Sequence, residues 1–268
     1  MERHAWRGFL SRTVTLEKAD PKAFFFLLEE DRDEPELEVR AGVAVIPVNG
    51  PLVRRDSLYL CCYPRLRRQL AVALERADVR AIVFDVDSPG GDALSLAELS
   101  DLIYAARAQK PIDAVVRGYG CSAAYFIASA AQAIFAARDS IIGSIGTVMT
   151  LLDWSKFDED LGIQEINIVS SQSPKKLPDP TTVEGRSQLQ EEVDAIADVF
   201  VRSVARNRGV TPENVLTAYG QGGVFIGEHA VTAGLADGIA TVDEVIAARA
   251  ASRPVHFERP LPAVGGAA

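Results

Sequence analysis

AIVFDVDSPGG, residues 81–91, sets the fold of this chain. Ala81 to Val86 is a short, largely apolar run rich in β-branched and aromatic residues, and Ser-Pro-Gly-Gly ends it in a turn. A run of this length bounded by a turn reads as a buried strand. A helical pattern follows at once, with Leu96, Leu99, Ile103 and Ala106 at spacings of three and four. Upstream, Val43 to Val48 reads as a strand, and Leu66, Leu70 and Leu74 mark a helix. Downstream, Ile112 to Val116 is a strand, and Ser122 to Ala131 a buried, Ala-rich helix. Ala133 to Ala136 and Ile166 to Val169 are further candidate strands. Strands alternating with helices predict an α/β domain with a largely parallel sheet.

The remainder is helical or irregular. Leu189, Val193, Ile196, Phe200 and Val204 form one apolar stripe, with Gly209 as its stop. Thr211-Pro212-Glu213 supplies an N-cap and a first-turn proline for a short helix. A last helix is expected over Glu228 to Ala233, ending near Gly234. Residues 1–40 read as an irregular arm holding the apolar run AFFFLL (23–28), taken as a buried strand, and an acidic linker. Residues 41–250 form the expected main domain, and 251–268, rich in Pro, Gly and Ala, a flexible tail.

Composition excludes several functions. The net charge of −9 over 268 residues disfavours a nucleic-acid partner. The basic cluster Arg65-Arg67-Arg68 reads as the solvated face of a helix. Cys61, Cys62 and Cys121 are too few for a disulfide framework, and no metal-ligand spacing occurs. No cofactor is expected. The N-terminus lacks a signal-peptide pattern, and AFFFLL is too short to span a bilayer. The chain therefore reads as cytoplasmic, without a membrane span.

Three segments could carry chemistry. Gly90 and Gly91 let the backbone turn tightly and bring N–H groups towards a ligand, which could hold an oxyanion; the same residues also suit an ordinary strand-to-helix turn. Ser122 stands among small residues, Gly120-Cys121-Ser122-Ala123-Ala124, where a helix begins. It is either a nucleophile with helix N–H groups beside it or an N-cap. Cys121 reads as a small buried neighbour. Lys175, in the polar loop Ser170–Pro178, is a candidate base, with Lys176 as its competitor; both also fit a solvated loop. Bringing a lysine from a pKa of about 10.4 to about 8 costs roughly 3.3 kcal/mol, a shift that burial alone can supply. Ser144, in Gly143-Ser144-Ile145-Gly146, could orient the lysine amine or simply occupy a turn. The chain has three histidines, none near a candidate nucleophile, so a serine with a lysine base is the favoured pairing.

In order and spacing, these segments resemble the signal peptide peptidase A family of serine–lysine proteases, and within it the phage capsid-assembly (head-maturation) protease branch. The matching pieces include Val45–Gly50, Asp87–Gly91, Cys121-Ser122-Ala123, Gly143–Gly146, Ser171 with Lys175, and Ala233–Asp237. The resemblance covers about residues 42–245. It implies a Clp-protease/crotonase-like fold of ββα units with a C-terminal helical part. It implies Ser122 as nucleophile, Lys175 as base, Gly90 and Gly91 as the oxyanion turn, and Ser144 as support. It also implies a homo-oligomer, often a ring, in which serine and lysine can come from adjacent protomers. Gln172, Pro174 and the pair Ala123-Ala124 depart from the family's usual residues. The expected function is a serine endopeptidase cleaving capsid or scaffold protein in phage head maturation. The alternatives are an inactive assembly component of the same fold, a protease of signal-peptide remnants, and a crotonase-type acyl-CoA enzyme.

Overall fold

The strand at 81–91 lies near the middle of a sheet. The computed structural model describes residues 37–57, 59–253 and 255; the expected arm before residue 37 and most of the tail lie outside them. Strand β1 (Glu38–Arg40) pairs antiparallel with β2 (Val43–Asn49), so the last residues of the expected arm belong to the sheet. Then come β3 (Leu52–Val53), β4 (Cys61–Cys62) and helix α1 (Tyr63–Glu75). Next are β5 (Ala81–Ser88), α2 (Leu96–Ala106) and β6 (Ile112–Cys121). The chain continues through α3 (Ala123–Ser129), β7 (Ala133–Ala136), β8 (Ile141–Gly143) and α4 (Ser155–Asp160). It closes with α5 (Val183–Arg208), α6 (Pro212–Ala218), β9 (Val224–Ile226), α7 (Glu228–Thr232), β10 (Gly238–Ile239) and α8 (Val242–Ala250).

The main sheet has the order β1-β2-β5-β6-β7-β10 and is parallel from β2 onward. Each successive strand is laid on the same side of the last, so right-handed crossovers put the connecting helices on one face. That face holds the larger core: Ile46, Phe84 and Val116 of the strands meet Leu66, Leu70, Leu99 and Ile103 of α1 and α2. The opposite face carries Val43, Val45, Val83 and Val115, covered by Val245 and Ile246 of α8. Alternate residues of each strand thus feed different cores, which is why the strands read as continuous apolar runs. Asp113, fully buried on β6, anchors α8 through two bonds from Arg249, at 2.5 and 2.7 Å.

Strand β6 is longer than its apolar run predicts. Asp113–Val116 pairs with β7, and Tyr119–Cys121 pairs with β8, so one strand serves two neighbours in succession. Strand β8 in turn pairs antiparallel with β9. The three C-terminal ends of β5, β6 and β8 therefore meet in one corner.

The expected strand at Ile166 to Val169 does not form. These residues pair with nothing in the sheet, and Ile166 and Ile168 are 76% and 95% exposed. A β-branched run forms a strand only where an edge is open to receive it, and β-propensity alone does not supply one. Helix α5 confirms the apolar stripe: Phe200 and Val204 are buried, and Gly209 ends the helix at φ 67°. No helix among the described residues is long and apolar enough to cross a membrane.

Candidate active site

Ser122 sits where β6 stops and α3 starts. Its backbone is at φ 52° and ψ −123°, a region that costs a non-glycine residue about 1–3 kcal/mol. Neighbouring contacts hold it there. Its N–H donates to the carbonyl of Gly143 (2.9 Å), and its own carbonyl accepts from Phe126 N–H (3.0 Å). All seven residues of α3 are buried, which fixes the helix behind the serine. The side chain makes no capping bond, so Ser122 begins the helix without serving as its cap, and its hydroxyl is half-buried at the corner. A sharp strand-to-helix elbow of this kind presents a side chain outward at the top of a sheet.

The glycine turn is packed directly against this serine. Gly90 has φ 105°, and a Cβ there would lie 2.8 Å from both the carbonyl oxygen of Cys121 and the Cβ of Ser122. A Cβ on Gly91 would fall 1.9 Å from the carbonyl oxygen of Leu52. The turn is braced by Leu52 N–H to Gly90 O and Asp92 N–H to Leu52 O, each 2.9 Å. Ser88 is fully buried. Its hydroxyl donates to Gly50 O (2.6 Å) and accepts from Gly90 N–H (3.1 Å). Gly90 N–H is therefore occupied. Among the described residues, no hydrogen bond takes the N–H of Gly91 or of Ala123, and both residues line the recess at Ser122. The Ala123 amide is one of the helix N–H groups expected beside Ser122, since a first-turn N–H has no partner within the helix.

Ser144 follows Gly143, the acceptor of the serine N–H, at φ 53°, with its own N–H bonded to Gly223 O (2.8 Å). It is thus beside Ser122 through the backbone. Thr147, three residues on, lines the recess itself. Its hydroxyl oxygen is buried and makes no hydrogen bond among the described residues. The Cys121 thiol donates to Ile141 O at 3.4 Å. Burial, opposed in part by a backbone bond at Gly120, pushes its pKa up, so it stays a neutral thiol beside the serine.

Lys175 is exposed, its carbonyl accepts from Gln188 Nε2 (2.6 Å), and neither it nor Lys176, also exposed, lines the recess at Ser122. The segment leading to it is exposed and apolar: Leu152 (73%), Trp154 (58%), Phe157 (57%) and Leu161 (59%) all face outward. The structure thus joins Ser122, Gly90, Gly91 and the Ser144 backbone, and the lysines are not among the residues lining the recess.

The chain thus has a largely parallel α/β sheet with a strained serine at the C-terminal end of β6 and a glycine turn packed beside it. The model of peptidase family S49 matches residues 105–256, more than half of the chain, and the chain belongs to that family. It is 31% identical over 217 residues to the head-tail preconnector protein GP5 of Enterobacteria phage P21, covering 78% of this chain and 43% of that protein. It is 30% identical over 235 residues to the capsid assembly protease C of Escherichia phage lambda, covering 82% of this chain and 52% of that one. It is 27% identical over 212 residues to the chloroplastic serine protease SPPA of Arabidopsis thaliana, covering 78% and 31%. The chain spans about half the length of the two phage relatives.

Proposed function

We propose that this chain is a serine endopeptidase with a Ser122–Lys175 dyad, acting on capsid or scaffold protein in phage head assembly. The observation that carries the reading is the corner itself: a strained serine with an uncapped hydroxyl, set against a glycine turn, with the free N–H groups of Gly91 and Ala123 lining the same recess. The capsid role rests on the two phage relatives. The fold is of the Clp-protease/crotonase type, an assignment favoured by the sequential parallel strands with their helices on one face.

In the reaction, neutral Lys175 takes the proton from Ser122 Oγ as that oxygen attacks the substrate carbonyl. The oxyanion is held by the N–H groups of Gly91 and Ala123, and Gly90 shapes the turn without donating. Each such donor is worth about 3–4 kcal/mol of barrier. Lys175 then protonates the leaving amine and deprotonates the water that releases the acyl-enzyme, so no cofactor enters. Because Lys175 is exposed and does not line the recess at Ser122, we infer that the base reaches the serine of a neighbouring copy. The exposed apolar side chains from Leu152 to Leu161 form the contact. In this reading Ser144 and Thr147 supply the hydroxyls that orient the incoming amine.

The test is cleavage of an unstructured protein at mildly alkaline pH by wild type, Ser122→Ala and Lys175→Ala, read by gel and intact mass. Cutting by wild type and silence of both variants is the expected result. Cutting by Lys175→Ala transfers the base role to Lys176. A folded, assembled but silent wild type supports the inactive assembly component instead.

A further inference from the structure

Ser88 takes no part in the chemistry above, yet it is built into the turn beside it. It ends β5, one residue past the pairing of Asp87 with Asn49 of β2. Its side chain is fully buried, and its hydroxyl is satisfied on both sides. It accepts from Gly90 N–H (3.1 Å) and donates to Gly50 O (2.6 Å). The first bond alone is an ordinary serine turn. The second is not local: Gly50 lies 38 residues away, and its own N–H donates to Asp87 O (2.9 Å). The two peptide planes that meet at Gly90 are therefore held by different means. The Ser88 hydroxyl holds the Gly90 N–H, and Leu52 N–H holds the Gly90 carbonyl (2.9 Å).

We propose that Ser88 is a positioning residue: its hydroxyl fixes the Pro89–Gly90 peptide and, through it, the direction of Gly91 N–H. The inference rests on the reading of Ser122 as nucleophile and of Gly91 N–H as an oxyanion donor. Gly90 has φ 105°, and without a Cβ it turns more readily than any other residue type. Without the hydroxyl, Gly90 N–H loses its partner in a buried place and must find another. Gly50 follows directly on the ladder that joins β2 to β5 from Val43 to Asn49, so the glycine turn is the part that yields. An oxyanion donor works only when it is aimed before the reaction begins. Loosening it raises the barrier without weakening the hold on the substrate, so the loss falls on kcat.

The experiment measures kcat and KM for cleavage of quenched fluorescent casein by the full chain at mildly alkaline pH, with Ser122→Ala as the blank. Ser88→Ala removes the hydroxyl. Ser88→Cys keeps a side chain of similar volume with a much weaker acceptor, and so carries the test if the alanine variant does not fold. Ser100→Ala is the control: Ser100 on α2 is also fully buried, and its hydroxyl accepts from Asn207 Nδ2 (3.0 Å) away from the glycine turn. Circular dichroism and Tm report folding. Both Ser88 variants should lower kcat about 10–30-fold, less than the loss of a whole donor, while KM stays within about twofold. Ser100→Ala should lower Tm and leave kcat near wild type. A wild-type kcat in either folded Ser88 variant, a loss carried by KM, or an equal kcat loss in Ser100→Ala overturns the positioning role and leaves the nucleophile in place. Wild-type cutting by Ser122→Ala, or a silent wild type, overturns the nucleophile and this inference with it.

Discussion

The Ser122 corner and the Lys175 loop are built on opposite principles. Around Ser122 nearly everything is buried and bonded: α3 has no exposed residue, the turn at Gly90 touches the serine Cβ position, and the strained backbone is clamped by Gly143 and Phe126. Around Lys175 the apolar residues face outward. A preorganised nucleophile and oxyanion site lose little on reaction, because their dipoles are already in place. An exposed lysine is a poor base, because water stabilises its charge. Under the proposed dyad, the contrast puts the nucleophile in the fold of one chain and leaves the base to be supplied by assembly.

The largest expected effect breaks or confirms that division. Ser122→Ala and Lys175→Ala, each silent alone, should recover about one quarter of wild-type activity when unfolded together and reassembled, since one neighbour pair in four then carries both groups. If the mixture stays silent while wild type regains activity by the same procedure, serine and lysine pair within a chain.

Next in size is Gly91→Ala. A Cβ 1.9 Å from the Leu52 carbonyl forces the turn to shift and moves the N–H assigned to the oxyanion. Roughly a 10²–10³-fold fall in kcat is expected with near-native circular dichroism. A smaller fall, under tenfold, would leave Ala123 as the main donor.

The smallest effect on chemistry separates scaffold from loop. Asp113→Asn removes one side of the buried pair with Arg249 and should cost about 3–5 kcal/mol, seen as a lower Tm. Leu152→Asp, on a side chain already 73% exposed, should leave the Tm of the isolated chain nearly unchanged and reduce assembly by sedimentation. An equal Tm loss from both would show that the loop is packed as tightly as the core.

Much of this was legible in the residues, and the limits have physical causes. Strand β5, helices α1 and α2, and the stripe of α5 repeat an apolar pattern over several turns or residues, and burial follows such patterns directly. Strands β8, β9 and β10 span two or three residues, too few to show a period, and exist because β6, β8 and β7 respectively offer them an edge. Ile166 to Val169 has the composition of a strand and no edge to join.

The same division holds at the site. The sequence alone determined that a serine among small residues begins a helix, that a glycine pair ends a strand upstream, and that no histidine stands nearby, because residue type and spacing are local properties. The folded chain adds that Gly90 donates to Ser88 while the N–H groups of Gly91 and Ala123 stay unbonded among the described residues, that the Ser122 hydroxyl does not cap its helix, and that Lys175 does not line the recess beside it. Those are matters of which groups meet across distant segments, and packing, not local preference, determines them.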